Sequence, residues 1–216
     1  MKAFLNKILK FVFPARCVGC RAECSSICPK CLSKVPRAEK MGEDWITSVW
    51  SYKDRNIKKL LWQFKFEGKW SFVEDLGQVL YDHLSDELAE KSLFENVVSP
   101  ILVPIPITGK KLRERGYNQS EILGKELVRR SGGFLACMPN VLQKIKETPT
   151  QHSIMNRSAR LKNLRGTFAV KNPKEISGRD IVIIDDITTT HATLIEARRA
   201  LREAGAGKIL AFTIAH

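Results

Sequence analysis

The sequence lacks the long hydrophobic run that a membrane-spanning helix requires. No stretch reaches the ~18 consecutive apolar residues of such a helix, and lysines interrupt the apolar residues between Met1 and Pro14, which carry no export cleavage site. The protein is therefore expected to be cytoplasmic and not membrane-spanning.

The sequence also has few histidines, and no motif ties them to a nucleophile. Of its four histidines, His83, His152 and His216 belong to no motif, and no Ser, His and Asp set of the hydrolase type can be recognised. The stretch from Gly205 to Lys208 lacks the glycine spacing of a P-loop and precedes a predicted strand instead of a helix. Serine-hydrolase and P-loop chemistry are both disfavoured.

Acidic residues are scarce relative to basic ones. The chain has 36 Lys and Arg against 23 Asp and Glu, a net charge of +13. The stretch from Lys110 to Arg165 contains thirteen basic and four acidic residues, so it carries an excess of nine positive charges. The imbalance indicates a polyanionic partner such as nucleic acid, a pyrophosphate ester or an acidic membrane surface.

Cysteines, by contrast, are concentrated near the N-terminus. Five of the six lie within fifteen residues, and four form two C-x₂-C pairs. Without an export signal this density favours a metal over disulfides, and each pair can place two thiolates on one tetrahedral Zn²⁺. The predicted zinc ligands are Cys17, Cys20, Cys28 and Cys31, with Cys24 as a possible alternative ligand or free thiol.

An amphipathic helix is predicted before the cysteines. Between Lys2 and Phe13 the apolar residues share one helical stripe, and Pro14 ends the pattern. Packing on the protein's own domain is favoured, and a helix at the inner face of the membrane or on a partner is the alternative. Residues 1–44 are predicted to form this helix and the zinc module, and residues 45–216 the main domain.

Strands and helices alternate through the main domain. Residues 45–52 alternate between apolar and polar and predict an edge strand, expected to be antiparallel, and apolar strands are predicted at residues 101–107, 181–184 and 208–215. Helical spacing is found at residues 54–66, 72–93 and 194–204. The fold class is therefore α/β, with a parallel sheet flanked by helices. For Trp62, Phe66 and Trp70, packing within the protein is favoured over stacking on single-stranded bases.

The stretch from Gly178 to Leu194 carries the strongest functional signal. A buried strand, Ile181 to Ile184, is followed by Asp185 and Asp186, a threonine-rich turn and a helix. Ligands of α/β sheets bind beyond the carboxyl ends of strands, and helix amides attract phosphate. The threonines and amides could hold a phosphate while the two acids hold hydroxyls or Mg²⁺, which suits a ribose 5-phosphate ligand.

This stretch resembles the thirteen-residue signature of type I phosphoribosyltransferases. IVIIDDITTTHAT is similar to its apolar residues, two acids and TTGAT-like loop around the 5′-phosphate of phosphoribosyl pyrophosphate. The chain departs from the signature at His191, where the family usually has a glycine that permits backbone angles hindered by a Cβ. His191 is interpreted as a substituted loop residue in preference to a catalyst.

Other motifs resemble the ComF family, phosphoribosyltransferase-like proteins associated with bacterial DNA uptake. VPIP…RERGYNQ is similar to that family's VPVP…RxRGFNQ signature, and the segment from Lys144 to Phe168 resembles its RxRxTxxQ…R…N…GAF segment, with lysines at two arginine positions. The family also carries an N-terminal Cys₄ zinc element. On chemistry alone, a solvated basic face and a phosphate site are equally good interpretations of Arg113 and Arg115, and the resemblance favours the phosphate site.

The resemblance implies a type I phosphoribosyltransferase-like fold with structural Zn²⁺, and with Mg²⁺ bound together with phosphoribosyl pyrophosphate. Asp185 and Asp186 are the expected catalytic pair. The residues expected around phosphoribosyl pyrophosphate are Thr108, Gly109, Lys110, Arg113, Arg115, Lys144, Lys146, Thr188, Thr189, Thr190, His191, Ala192 and Thr193.

Two classes of function remain open on this basis. A binding protein would handle incoming single-stranded DNA during natural competence, with Arg113 and Arg115 on phosphates and Trp62 or Tyr117 stacking on bases. The DNA-uptake machinery is then a candidate partner. An enzyme would transfer the phosphoribosyl group to an acceptor in nucleotide or purine metabolism, and the sequence does not identify that acceptor.

Overall fold

The computed structural model describes residues 16–24, 26–40, 42–68, 71–146 and 164–216. The predicted N-terminal helix, Trp70 and residues 147–163 of the basic segment lie outside these ranges. Within them, no helix is both long enough and apolar enough to cross a membrane.

A five-stranded parallel sheet forms the centre of the protein. Its strands are β1 (Ile46–Trp50), β2 (Ile101–Pro104), β3 (Ala136–Cys137), β6 (Ile181–Ile187) and β7 (Ile209–Ala215). They are arranged in the order β1-β7-β6-β2-β3. Every residue of β2 and β7 is buried, as expected for parallel strands covered on both faces.

Helices flank the sheet, and one short helix lies in the cysteine-rich module. The short helix is α1 (Pro29–Leu32), and the others are α2 (Arg55–Phe66), α3 (Ser71–Glu95), α4 (Gly109–Arg115), α5 (Gln119–Arg130) and α6 (Ala192–Glu203). Helix α5 contacts β2 and β6, α3 contacts α5 and β1, and α6 contacts β6 and β7. The fold class predicted from the alternating pattern is confirmed.

The prediction of an antiparallel β1 is wrong. β1 is an edge strand, but it pairs in parallel with β7, with Ile46 opposite Ala211 and Trp50 opposite Ala215. Alternation of apolar and polar residues reports burial on one face, and an edge strand of a parallel sheet can have this pattern too. The pattern therefore located the strand without fixing its direction.

The central strands end together, and this determines where a site can form. β6 pairs with β2 through Ile184 and Pro104 and with β7 through Ile187 and Ala215. β6 is longer than predicted, because its ladder continues through Asp185, which lies opposite Thr213. The carboxyl ends of β2, β6 and β7 therefore lie side by side, next to the starts of α4 and α6.

A two-stranded antiparallel ribbon stands apart from the main sheet. β4 (Leu142–Lys144) pairs with β5 (Phe168–Val170), so that Lys144 lies opposite Phe168. The ribbon contacts α6 through β5, and it flanks residues 147–163. The segment from Lys144 to Phe168 therefore begins and ends in this ribbon.

The cysteine-rich module is attached to the main domain by specific contacts. The Ser26 hydroxyl donates to an Asp75 carboxylate oxygen at 2.6 Å, which links the module to α3. Arg37 forms an antiparallel bridge with Trp50, which links it to β1. The domain boundary between residues 44 and 45 stays a prediction.

Candidate functional site

Asp185 and Asp186 lie in the last part of β6, where the parallel ladder approaches its end. Asp185 is half-buried, and one of its oxygens accepts hydrogen bonds from the Ser120 hydroxyl and the Asp186 amide, both at 2.9 Å. Asp186 is 6% exposed, and its Oδ2 lies 2.7 Å from the ammonium of Lys65. The two carboxylates therefore have different partners, although they are adjacent in sequence.

The electrostatic environment of the pair is unusual for aspartates. Burial, reinforced by the charge of Asp186, raises the pKa of Asp185 to about 7, although Lys65 and the Ser120 hydroxyl oppose the shift. Burial disfavours the charged form of Lys65, but the carboxylate of Asp186 outweighs this effect and raises the pKa of Lys65. The edge of the sheet thus concentrates negative charge that one resident ammonium balances in part.

The loop after β6 leads into α6, whose N-cap residue does not cap the first turn with its side chain. His191 is that residue, and its side chain makes no capping hydrogen bond. In contrast, Asp54, Thr108 and Asn118 each cap their helices with a side-chain oxygen. The first amides of an α-helix have no intrahelical acceptor, so the start of α6 is suited to an anion.

His191 adopts the backbone conformation that a glycine would favour. Its φ is +59°, in the left-handed region, which costs a residue with a Cβ roughly 1–2 kcal/mol. The side chain is 6% exposed, and its ring lies 4.9 Å from the ring of His216. His191 therefore has the left-handed backbone conformation for which glycine is favoured, at the position where the resemblance expects glycine.

The other loop residues differ in exposure. Thr188 is buried and its amide donates to the Ala215 carbonyl at 3.0 Å, which extends the strand pairing. Thr189 is exposed and lines a cavity of about 250 Å³ together with Tyr52 and Lys58. Thr190 and Thr193 are half-buried and Ala192 is buried at the helix start.

A cationic cavity of about 350 Å³ is linked to the acid pair through Lys65, which contacts Asp186. Its lining includes three cations and one acid together with two aromatic rings: Lys65, Lys111, Arg115, Glu114, Phe66 and Tyr117. Burial, together with the charges of Arg115 and Lys65, lowers the pKa of Lys111. Clustered cations that disfavour each other's charge are suited to an anionic ligand, because such a ligand relieves the repulsion.

The predicted basic residues are divided between this cavity and the outer surface. Arg115 lines the cavity, whereas Lys110 and Arg113 are exposed on α4. Thr108 and Gly109 form the start of that helix, where the Thr108 hydroxyl oxygen accepts the Lys111 amide at 3.3 Å. That hydroxyl therefore has a capping role in addition to any contact with a ligand.

Lys144 is the last residue of β4, and Lys146 follows it two residues later. The Lys144 ammonium is 5.9 Å from the centroid of the Phe168 ring. A Cβ built at Gly166 would lie 3.3 Å from the Lys146 ammonium, so glycine leaves room for that side chain. Both lysines come just before residues 147–163 in the sequence. Their contact with a phosphate ligand stays a prediction.

An aromatic pair extends from the cavity along α2. Trp62 and Phe66 are 53% and 62% exposed, with ring centroids 5.8 Å apart, and the Arg115 guanidinium lies 5.2 Å from the Phe66 centroid. The expectation that these two aromatics pack inside the protein is therefore wrong. They fall outside the apolar stripe of α2, whose buried residues are Ile57, Leu60, Leu61 and Phe64.

Tyr117 has a different environment from these exposed rings. It is half-buried, its hydroxyl donates to the Phe64 carbonyl, and its ring stacks on that of Phe64 with centroids 6.1 Å apart. The neighbouring Asn118 amide donates to the Ile105 carbonyl at 3.0 Å. The RGYNQ motif thus fixes α2 and the end of β2 to the start of α5.

Sequence reasoning missed two residues of the site, Lys65 and Ser120. Lys65 follows the buried Phe64 and lies four residues after the buried Leu61, at the border of the apolar stripe. A lysine in that position, close to a buried strand end, is the signal that could have identified it. Ser120 comes directly after the RGYNQ motif, and its contact with Asp185 spans 65 positions in sequence, which no local pattern indicates.

The cysteine cluster is a second candidate site. The sulfur atoms of Cys17, Cys20, Cys28 and Cys31 all lie within 4.8 Å of one another. Cys28 Sγ is 3.7 Å from the sulfurs of both Cys17 and Cys20, close to the ~3.8 Å that a tetrahedral site with ~2.3 Å metal–sulfur bonds requires. The predicted four-cysteine set could therefore hold a metal ion.

Two neighbours of the cluster support this arrangement. A Cβ built at Gly19 would lie 2.9 Å from Cys31 Sγ, so glycine allows the two pairs to approach. Cys24 stands outside the set of four whose sulfur atoms share this spacing. The geometry therefore favours the two C-x₂-C pairs over Cys24.

Comparison with known proteins identifies several relatives. The chain is 26% identical to competence protein F of Haemophilus influenzae over 189 residues, which cover 87% of this chain and 77% of that protein. It is 27% identical to DNA utilization protein YhgH of Escherichia coli K12, with coverage of 84% and 74%. It is 32% identical to competence protein ComFC of Bacillus subtilis, with coverage of 77% and 62%.

Other comparisons are less informative. No family model matches the chain. The match to a crystal structure of TT1426 from Thermus thermophilus covers 59% of this chain and 79% of the TT1426 chain. The sequence identity is 16% and the TM-score is 0.30. That similarity is too low to support an argument.

Proposed function

From the resemblance to the ComF family and the similarity to these relatives, we propose that this protein acts in natural competence by handling incoming single-stranded DNA and that it binds phosphoribosyl pyrophosphate with Mg²⁺. The role in competence is supported by homologues named competence protein F and ComFC and by a DNA utilization protein. The sugar-phosphate and DNA ligands are proposed from the site.

The observation that carries the sugar-phosphate proposal is that two anion-binding features adjoin the acid pair. The start of α6 at His191 follows the pair in the same strand-loop-helix segment, and Lys65, which contacts Asp186, lines the cavity with Lys111 and Arg115. We assign the 5′-phosphate to the α6 amides and Thr193, the ribose hydroxyls to Asp185 and Asp186, and the pyrophosphate to the cavity.

The residues present fit a Mg²⁺ ion bound with that ligand. Two adjacent carboxylates supply oxygen donors of the kind Mg²⁺ prefers, and Asp185 is only half-buried. The ion would neutralise phosphate charge when bound. The protein's own contribution is to hold the ribose on Asp185 and Asp186 and to hold the leaving pyrophosphate on Lys111 and Arg115.

An active phosphoribosyltransferase is the alternative. The C1–oxygen bond to pyrophosphate would break, pyrophosphate would leave with the electron pair, and a bond from C1 to an acceptor would form. Such a displacement passes through an oxocarbenium-like state that needs positioning and charge neutralisation more than a covalent nucleophile. The acceptor, from nucleotide or purine metabolism, is not identified by any feature of the site.

Thermal unfolding tests the sugar-phosphate site. Phosphoribosyl pyrophosphate with Mg²⁺ should raise the melting temperature of the wild type, because a ligand that binds only the folded state stabilises it. The shift should disappear in Asp185→Ala/Asp186→Ala and persist in Asp82→Ala/Asp86→Ala, which changes two acids on α3, away from the site. No shift in the wild type would remove the proposal.

The DNA proposal is supported by the surface beside the cavity. Trp62 and Phe66 present exposed rings, and Lys111 and Arg115 supply positive charge at one end of that pair. Successive bases could stack on these rings while phosphates contact the cations. Tyr117 would support this surface from below through its contact with Phe64.

A salt titration tests the DNA surface. The affinity for a labelled oligothymidylate, followed by fluorescence anisotropy, should fall steeply with salt and fall further in Arg113→Ala/Arg115→Ala. Trp62→Ala/Phe66→Ala should cost about 1–3 kcal/mol per lost stack. The matched control is Phe134→Ala, an aromatic residue that is 87% exposed elsewhere. Binding that is absent, or independent of salt, would contradict the proposal.

We assign the metal of the four-cysteine cluster as structural Zn²⁺. Four thiolates in a tetrahedral arrangement suit zinc and leave no open position for chemistry. Metal analysis should give about one equivalent per chain, and a chelator should destabilise the module because zinc binding contributes folding energy. Less than about half an equivalent in carefully prepared protein would count against zinc. Location in the cytoplasm, with contact to the inner face of the membrane, stays a proposal.

A further inference from the structure

Lys65 lies between the two halves of the proposed site. Its ammonium is 2.7 Å from Asp186 Oδ2, and its side chain is 22% exposed. The same residue lines the cationic cavity together with Lys111 and Arg115. Lys65 therefore contacts the acid pair and also faces the region where we place the pyrophosphate.

This ion pair has a consequence for any metal at the acid pair. A divalent cation held by Asp185 and Asp186 would have to share the Asp186 carboxylate with an ammonium, and two cations at such distances repel each other. Asp186 is 6% exposed, so water screens this repulsion poorly. The metal and the ammonium cannot both be favourable partners of Asp186.

The side chain of Lys65 has an alternative position. A lysine is a point charge on a flexible four-carbon stem, and a phosphate in the cavity would attract the ammonium away from Asp186. Lys111 and Arg115, which line the same cavity, would be neutralised by the same ligand. A phosphate-bearing ligand can thus free the carboxylate for a metal.

We propose that Lys65 is the resident counter-cation of the acid pair, and that it couples metal binding to phosphate binding. A metal alone is kept from the site, whereas phosphate in the cavity draws Lys65 away and lets the metal bind. By linkage, the metal strengthens phosphate binding by the same factor. This inference rests on the proposed function, because it assigns the acid pair to a metal and the cavity to phosphate.

A purely structural role for Lys65 makes different predictions. Lys65 is a basic residue in the last turn of α2, where a positive charge stabilises a helix through its dipole. Removing such a charge would lower stability without changing the affinity for metal or its dependence on phosphate. The coupling between the two ligands is therefore the property to measure.

The test is a Mn²⁺ titration followed by electron paramagnetic resonance, with and without inorganic phosphate. The variants are Lys65→Met, which removes the charge, and Lys65→Arg, which keeps it. Lys59→Met is the matched control on the exposed face of the same helix. Without phosphate, Lys65→Met should bind Mn²⁺ at least about tenfold more tightly than the wild type or Lys59→Met.

Phosphate should then tighten Mn²⁺ binding to the wild type, and this gain should be lost in Lys65→Met. Equal Mn²⁺ affinity of the wild type and Lys65→Met, or a phosphate effect of the same size in both, would overturn the proposal. If Lys65→Met does not fold, the wild type and Lys65→Arg still test the coupling. A wild-type affinity for Mn²⁺ that phosphate leaves unchanged excludes it. The titration contains no phosphoribosyl pyrophosphate, so failure of that compound to bind would overturn the proposed function separately.

Discussion

Two pairs of carboxylates with low exposure differ in their hydrogen-bond and ion-pair partners. Glu126 and Glu196 are 7% and 5% exposed, and each accepts two hydrogen bonds from one arginine fork, Arg129 or Arg199, at 2.7–2.9 Å. Asp185 and Asp186 lie side by side with one hydroxyl, one amide and one ammonium as their described partners.

The difference separates structural acids from acids available to a ligand. Hydrogen bonds from arginine lower the pKa of Glu126 and Glu196 in spite of their burial, so these groups are stable as anions without any ligand. Burial and mutual repulsion instead raise the pKa of Asp185. A pair left in this state stores unfavourable electrostatic energy that a bound cation or ribose hydroxyls can relieve.

The largest expected effect on stability is at a structural acid. Glu126→Gln removes the charge that Arg129 and Arg130 contact, and leaves a partly buried arginine without its anion. We expect a loss of about 2 kcal/mol in the free energy of unfolding, measured by urea denaturation. The response to ligands should not change. A loss below about 0.5 kcal/mol would mean that water replaces the carboxylate, as at exposed ion pairs.

A smaller effect of opposite sign is expected at the site. Asp185→Asn removes the repulsion with Asp186, and the new amide oxygen can still accept the Ser120 hydroxyl. The free energy of unfolding should stay unchanged or rise by about 1 kcal/mol, while stabilisation by phosphoribosyl pyrophosphate with Mg²⁺ is lost. Urea denaturation of Asp185→Asn and the wild type in parallel measures both. A clear loss of stability would show that Asp185 is a structural acid like Glu126.

A third difference is expected in the pH dependence of stability. The pKa of Asp185 is raised in the folded state to about 7, so between about pH 4 and pH 7 the folded state binds more protons than the unfolded state, and stability falls as pH rises. The pKa of Glu126 is lowered, so its contribution is present above the unfolded value of ~4.5 and is lost as pH falls further.

Melting temperatures across this range separate the two contributions. The wild type should lose stability relative to Asp185→Asn as pH rises from about 4 to 7, and Glu126→Gln should differ most from the wild type above about pH 5. Parallel pH profiles of the wild type and Asp185→Asn would mean that the carboxyl of Asp185 has an ordinary pKa in the folded protein.

The sequence predicted those parts of the fold that depend on local patterns. The apolar runs of β2, β6 and β7 and the helical spacing of α2, α3 and α6 identified their elements, because each must bury one stripe or two faces. The direction of β1 was predicted wrongly, since its partner β7 lies at the opposite end of the domain's sequence. Pairing over such distances depends on the whole topology.

The site was predictable where a motif is contiguous and unpredictable where it is assembled from distant segments. The acid pair ends one strand and the loop at Thr188–Thr193 follows it directly, and the left-handed His191 occupies the position where the resemblance expects glycine. Lys65 and Ser120 come from other helices and reach the acids only through folding. The exposure of Trp62 and Phe66 likewise depends on which face of α2 packs against the rest of the protein.

The most direct test of the central claim is a calorimetric titration of phosphoribosyl pyrophosphate with Mg²⁺ into three proteins. The account predicts stoichiometric binding to the wild type and to Glu126→Gln, and no binding to Asp185→Asn/Asp186→Asn. Binding to that double variant with the wild-type affinity would show that the acid pair does not form the sugar-phosphate site, and would contradict the account.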